Sequence, residues 1–205
     1  MDEVFHAALL FGGKIMSAQG DQTRKKIRDA ACMLFSQKGF SRVTMKDICD
    51  MTGLSRGGLY RHYGSTAEIF RDIFNTANGS QVDLIAQTIE QNGSAAEAMD
   101  QLLDLLYAEM IDSETTLSLA IFEYGQTCDS DFITKMHIQS IEKWSRLIEY
   151  GIQRGEFAPV DVAQTVDLLL YSYQGVRMCS RILPDTASAA DHVISHLRSL
   201  LKPKE

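Results

Sequence analysis

Apolar residues recur along this chain at the spacing of a helix, and the alternation of a strand is never sustained. Ile27, Ala30, Ala31, Leu34 and Phe35 fall at i, i+3, i+4, i+7 and i+8, which predicts a helix over about residues 23–38. Gly39 is its stop signal, and Phe40 can fold back onto the stripe. Thr44 with Asp47 three residues on resembles a capping box. Ile48, Cys49 and Thr52 form a short second stripe that Gly53 ends. Ser55 is the next cap and opens a short helix to about residue 62. Ser65 and Glu68 form a full capping box, and Ile69, Phe70, Ile73 and Phe74 continue that helix.

Further helices follow. Gly79 and Gly93 mark breaks or bends, and residues 95–110 carry Met99, Leu102, Leu103, Leu106 and Met110 on one side. A helix to about residue 124 and a loop over 125–130 come next, then a long helix over 131–154 that stops at Gly155 and Pro159. Two last helices, 161–183 and 186–201, are parted by Pro184. The predicted fold is all-α, without an internal repeat or a long linker.

Charge changes the picture. The whole chain carries −7, yet residues 21–63 hold nine Lys/Arg against four Asp/Glu, while residues 64–205 hold ten against twenty-one. A basic first module on an acidic body suggests a polyanionic partner for that module, unless its basic helix is only a solvated face. A hydrophobic content of 45% with three Pro excludes a disordered chain. Cys32, Cys49, Cys128 and Cys179 lie far apart, so neither a zinc site nor a disulfide framework is signalled, and a reducing, cytoplasmic home is expected. Residues 4–16 are too short an apolar run to cross a membrane, and Asp2 and Glu3 sit where a signal peptide needs positive charge. Residues 1–20 are read as an N-terminal extension, loosely ordered or preceding a natural start at Met16.

The spacing Thr44…Gly53-Leu54-Ser55…Leu59-Tyr60 describes two short helices joined by a tight Gly turn, the plan of a helix-turn-helix whose second helix enters a major groove. Gly57 and Gly58 each cost about 1 kcal/mol in a helix relative to alanine. Close approach of the backbone to DNA would offset that cost. Tyr60, Arg61, His62 and Tyr63 bring groups suited to phosphate, although Tyr60 and Tyr63 could instead fill the module's core. Enzyme signatures are absent: no phosphate-binding Gly loop, no Gly-x-Ser-x-Gly and no His-Glu-x-x-His.

Residues 23–74 resemble the N-terminal domain of the tetracycline-repressor (TetR) family. The resemblance is carried by Phe35-Ser36-Gln37-Lys38-Gly39-Phe40, Thr44, Ile48, Gly53-Leu54-Ser55 and Gly58-Leu59-Tyr60-Arg61-His62-Tyr63. It implies that Thr44 and Lys46 touch phosphate or base, and that Arg56, Gly57, Gly58, Tyr60, Arg61 and His62 face the groove or its walls. Arg56 is then the first base reader, toward guanine O6/N7, with Lys46 second; Thr44, Tyr60, Arg61 and His62 set position on the backbone. Thr66 stands where the family usually has Lys, so one phosphate contact would rest on its hydroxyl and nearby amides. Cys49, Met51 and Thr52 replace a commoner alanine-rich stretch.

The resemblance also implies a helix-turn-helix domain over 21–66 and a helical effector-binding and dimerising domain over 67–205, with no cofactor and no membrane partner. The final two helices would form the homodimer interface, with Val166, Leu169, Tyr173, Val176, Val193 and Leu197 as candidates. A second stripe on the penultimate helix, Thr165, Leu168, Ser172, Gly175, Cys179 and Ile182, marks it as buried on two sides. A two-fold dimer spaces its recognition helices by about 34–36 Å and predicts a palindromic operator on double-stranded DNA. His137 shares a face with Ile133, Ile141 and Trp144, and Tyr107, Met110, Phe122, Glu123, His137, Trp144, Tyr171 and Gln174 are the candidate lining of an effector pocket. Glu123 or Glu109 would favour a cationic ligand there. His192 and His196 stand at i, i+4 without a third metal ligand. The expected function is a repressor released by a small apolar or amphipathic effector; the rival is a ligand-independent DNA-binding or architectural dimer.

Overall fold

A computed structural model describes residues 18–114 and 116–203, with side chains over 22–75, 84–114 and 116–203. Every regular element among them is a helix: α1 (Ala18–Lys38), α2 (Met45–Thr52), α3 (Arg56–Tyr60), α4 (Thr66–Glu90), α5 (Ala95–Ile111), α6 (Ser118–Thr127), α7 (Ser130–Gln153), α8 (Val162–Cys179) and α9 (Thr186–Leu201). The expected extension over 1–20 lies outside the described residues, save that α1 already begins at Ala18.

The described residues fold as two compact units, one holding those up to Ser80 together with Leu117–Asp131, the other those of Gln81–Thr116 and from Phe132 onward. This differs from a division at 66/67. The reason lies in the first core, where Ile69 and Phe70 of α4 are fully buried, as is Tyr124 of α6. Phe35, Phe40, Phe70 and Tyr124 form one aromatic cluster, with Phe40 and Phe70 centroids 5.2 Å apart and Phe70 and Tyr124 4.6 Å apart. Gly39 turns the chain after α1 at φ +74°, and the Glu123 carboxylate of α6 packs so close that a Cβ there would lie 2.6 Å from its oxygen. The same carboxylate accepts the Ser41 amide at 2.8 Å.

In the second unit α5, α8 and α9 pack together with α7 around Leu102, Leu103, Met110, Trp144, Leu147 and Ile194. Ser94 caps α5 through the Glu97 amide. Glu156 accepts the Ser94 hydroxyl at 2.8 Å and the Ala96 amide at 3.0 Å. Arg154, the Ala96 amide and Ser94 hold its carboxyl down to about 2. Three boundaries differ from expectation. Gly79 does not break α4, which runs on to Glu90, and α6 extends past Gly125 to Thr127, leaving only a short link to α7. α8 ends at Cys179 rather than near 183, followed by a turn.

Candidate nucleic-acid interface

Local chemistry fixes α2 at both ends. Thr44 is its N-cap: the side chain accepts the Asp47 amide at 3.2 Å, and Asp47 Oδ2 accepts the Thr44 amide at 2.8 Å, so the capping box is complete. The Thr44 hydroxyl also donates to Asp47, and Lys38 Nζ lies 3.1 Å from the same side chain. The Thr44 hydroxyl, the Thr44 amide and Lys38 together hold the Asp47 carboxyl well below the usual carboxylate range. Gly53 ends α2 at φ +70°, where a residue with a Cβ would be strained.

Ser55 then caps α3 by accepting the Gly58 amide at 3.1 Å. α3 is only five residues long, and a turn through Arg61 and His62 leads to Tyr63, whose amide reaches the Leu59 carbonyl at 3.1 Å. The two glycines do different things. A Cβ on Gly57 would point into open space, whereas one on Gly58 would lie 3.2 Å from Ser55 Oγ. Gly58 is buried and faces the cap, which corrects its assignment as a groove-facing residue.

Tyr63 requires the same correction. It is 1% exposed, and its hydroxyl donates to Asp72 and accepts from Arg24 Nε at 3.3 Å. Of its two readings, the core one holds. Thr66 and His62 are half-buried, while Thr44, Lys46, Ser55, Arg56, Gly57 and Arg61 are exposed and Tyr60 is 52% exposed. Thr44, Met45, Lys46, Arg56 and Tyr60 line a shallow cleft of about 360 Å³ between α2 and α3. Met45 was not anticipated; its position directly after the cap places it beside Lys46, and that was readable from the capping box.

The basic residues divide into two sets. Arg24 and Arg28 turn inward to Asp72, Lys25 pairs with Asp29 and Lys38 with Asp47. Lys46, Arg56 and Arg61 have no carboxylate within ion-pair distance among the described residues. This face therefore offers cations to a partner that supplies its own anions.

The residues expected to line an effector pocket are not gathered at one place. Glu123 is held at Ser41, and Phe122, 53% exposed, lies beside it in the first unit. In the second unit Met110 and Trp144 are packed core, and Tyr107 packs against them. His137 is half-buried with its ring 5.8 Å from Tyr171, which is 67% exposed, and Gln174 is exposed. Three of the proposed interface residues are also corrected. Val166, Leu169 and Leu197 are buried within the single chain, and Tyr173, Val176 and Val193 pack against the same core. Of the two stripes of α8 the first is the one that folds inward, joined by Thr165 at the start of the second. Leu168, Ser172, His192, Val193 and His196 instead line an outward cleft of about 220 Å³ on α8 and α9. Among the described residues no group of three or more His, Cys, Asp or Glu is placed to hold a metal, and no helix is long and apolar enough to cross a membrane.

A capped α2, a Gly turn and a short α3 with an exposed basic face define a helix-turn-helix DNA-binding module of the transcription-regulator class. Residues 27–73 match the family model described as bacterial regulatory proteins, tetR family. The chain is 32% identical over 158 residues to YfiR of Bacillus subtilis (strain 168), an uncharacterised HTH-type transcriptional regulator, spanning 75% of this chain and 77% of that protein. Its fold is similar to that of a transcriptional regulator from Saccharomonospora viridis solved with choline (TM-score 0.68, 17% identity, 87% of this chain and 95% of that one). It is similar also to FadR from Bacillus subtilis solved with stearoyl-CoA (TM-score 0.67, 16% identity, 86% and 98%). The chain belongs to the TetR family of bacterial transcriptional regulators.

Proposed function

We propose that the protein is a repressor that binds a palindromic operator as a homodimer and releases it when a small apolar or amphipathic effector enters its helical body. The observation that carries DNA reading is the cleft where Lys46, Arg56 and Tyr60 meet, whose cations have no carboxylate within ion-pair distance among the described residues. Arg56 reads a base edge, with Lys46 second, and Thr44, Ser55, Tyr60, Arg61, His62 and Thr66 set position on the phosphate backbone. Gly57 lets the start of α3 approach closely.

The partner that completes the module is a second copy. Leu168, Ser172, Gly175, His192 and His196 lie outside the core of the single chain, with Val193 at its edge, and this face of α8 and α9 supports a two-fold contact in place of the buried residues. Effector binding is supported by fold relatives solved with choline and with stearoyl-CoA. Those two ligands differ in charge, so the fold alone leaves the effector's charge open.

The test begins with selection of binding sites from random duplex DNA by the full-length protein, which is expected to return an inverted repeat. Amphipathic compounds are then added to the purified complex while fluorescence anisotropy follows release. A non-palindromic site would overturn the dimeric reading, and a complex that no compound loosens would favour the ligand-independent rival.

A further inference from the structure

The face of α8 and α9 that turns away from the core differs from the rest of the body in charge. Residues 64–205 hold twenty-one Asp/Glu and ten Lys/Arg, yet Leu168, Ser172, His192, Val193 and His196, which line its cleft, include none of them. Asp167 and Asp191 are exposed beside it, each about 100° round its helix from Leu168 and His192, and neither lines the cleft. Along α8 the exposed Gln164, Leu168, Tyr171, Gly175 and Met178 alternate steps of four and three residues, the seam that a facing helix needs. Gly175 lies in that seam with nothing within 4 Å of where its Cβ would stand. The single chain therefore gives no reason for a glycine that costs the helix about 1 kcal/mol, and a second helix passing close to it does.

The same cleft carries metal-ligand chemistry. His192 and His196 stand four residues apart on α9, which sets both side chains on one face with Cβ atoms about 5–6 Å apart. Both are exposed, and neither imidazole makes a hydrogen bond, ion pair or ring contact among the described residues. This is the spacing at which two histidines on a helix grip zinc. Two nitrogens leave a tetrahedral ion half-coordinated, and among the described residues the single chain gathers no group of three or more His, Cys, Asp or Glu to finish the set. A two-fold contact supplies the missing half, because a residue close to the axis meets its own counterpart. Four imidazoles without a carboxylate form a nitrogen set, which suits Zn2+ and its first-row neighbours and not the oxygen-seeking Mg2+ or Ca2+.

We propose that His192 and His196 are one half of a divalent transition-metal site, completed by the same pair of a second copy, in which one Zn2+ joins the two protomers on their two-fold axis. The inference rests on the reading of this face of α8 and α9 as the homodimer contact. The ion strengthens that contact without entering the DNA-reading module, so it acts on operator binding through the population of dimer.

The test uses full-length protein stripped of metal by a chelator and then dialysed. Zn2+ is titrated in by calorimetry, and sedimentation velocity follows the monomer–dimer equilibrium. One ion per two chains is expected, with the dimer tightened at least about ten-fold. Co2+ is the coloured probe, and the visible band of a tetrahedral site is expected as it binds. His192→Gln and His196→Gln are each expected to abolish the band and the effect of Zn2+ on dimerisation, with the metal-free equilibrium little changed. One ion per chain that leaves the dimer no tighter overturns the shared site, as does binding that both substitutions leave intact. Failure to bind Zn2+ by a protein that is dimeric, and that Leu168→Asp renders monomeric, overturns the metal site and leaves the dimer contact standing. A dimer that survives Leu168→Asp overturns the contact itself and the shared site with it.

Discussion

Tyr63 donates its hydroxyl hydrogen bond to Asp72, which ties the end of the DNA-reading segment to the second turn of α4. Arg28 Nη1 lies 3.0 Å from the same carboxylate, and Arg24 Nε reaches the phenol oxygen at 3.3 Å. Burial works to raise the Asp72 carboxyl, and the bonds from Tyr63 and Arg28 outweigh it, so the folded value lies below the ordinary one. Its contribution is therefore complete above about pH 4 and lost as the pH falls through the folded value. Asp72→Asn is expected to lower stability by about 1–2 kcal/mol at pH 7 and to flatten the acid limb of a plot of Tm against pH. A variant whose acid limb matches the parent's would show that this group does not set it.

Arg56 and Arg61 should separate by kind of loss rather than by size. Arg56→Ala is expected to cost about 1–3 kcal/mol on operator and little on random duplex, relaxing specificity at one position. Arg61→Ala is expected to weaken both alike and to lower the slope of log K against log salt by about one. Equal losses on operator and random DNA for Arg56→Ala would move the base-reading role elsewhere, with Lys46 the next candidate.

Much of this module was legible from order alone. Thr44, Asp47, Gly53 and Ser55 act on neighbours within three or four residues, so their spacing announces the caps and the turn. Tyr63 was not legible, because a phenol suits both a core and a phosphate, and its partner Asp72 lies beyond the motif. Glu123 was equally hidden, since the Ser41 amide it accepts is 82 residues away. On α8 two apolar stripes compete for the core, and periodicity cannot say whether Val166 and Leu169 or Leu168 and Ser172 turn inward.

The outward stripe gives the third expectation. Leu168→Asp places a charge on the cleft shared with His192 and His196 without touching the buried core. Light scattering should then report a monomer at micromolar concentration, with operator affinity falling at least about ten-fold and Tm little changed. A dimer that survives the substitution places the two-fold contact on another face.

Lys143 has a folded pKa of about 8 against 10.5 for the free side chain. Below pH 8 it is charged in both states, and its burial opposes folding in full. Between about pH 8 and 10.5 the folded chain sheds that proton first, so stability rises with pH across the window. Lys143→Met is expected to be more stable than the parent by about 2 kcal/mol at pH 7, a figure reduced for the water its stem still meets, with the difference shrinking toward pH 10. Parallel Tm curves for the two proteins would contradict this.

Two glycines offer a contrast in the cause of strain. At Gly53 a Cβ meets nothing within 4 Å, so Gly53→Ala suffers only from φ +70° and should cost about 1 kcal/mol. At Gly151 a Cβ would lie 2.1 Å from Cδ2 of the buried Phe157, so Gly151→Ala should cost about 3 kcal/mol or more by chemical denaturation. Equal losses would mean that the Phe157 ring can yield.

Tyr124 and Glu123 lie far along the chain from the helices they pack against, and this bears on protein engineering. A chimera that borrowed only residues 22–80 to graft a new operator preference would leave the Phe40 and Phe70 rings without the Tyr124 face and Ser41 without its carboxylate. The transplantable unit is discontinuous. A working graft must carry residues 117–131 along with the reading head, in two crossovers rather than one.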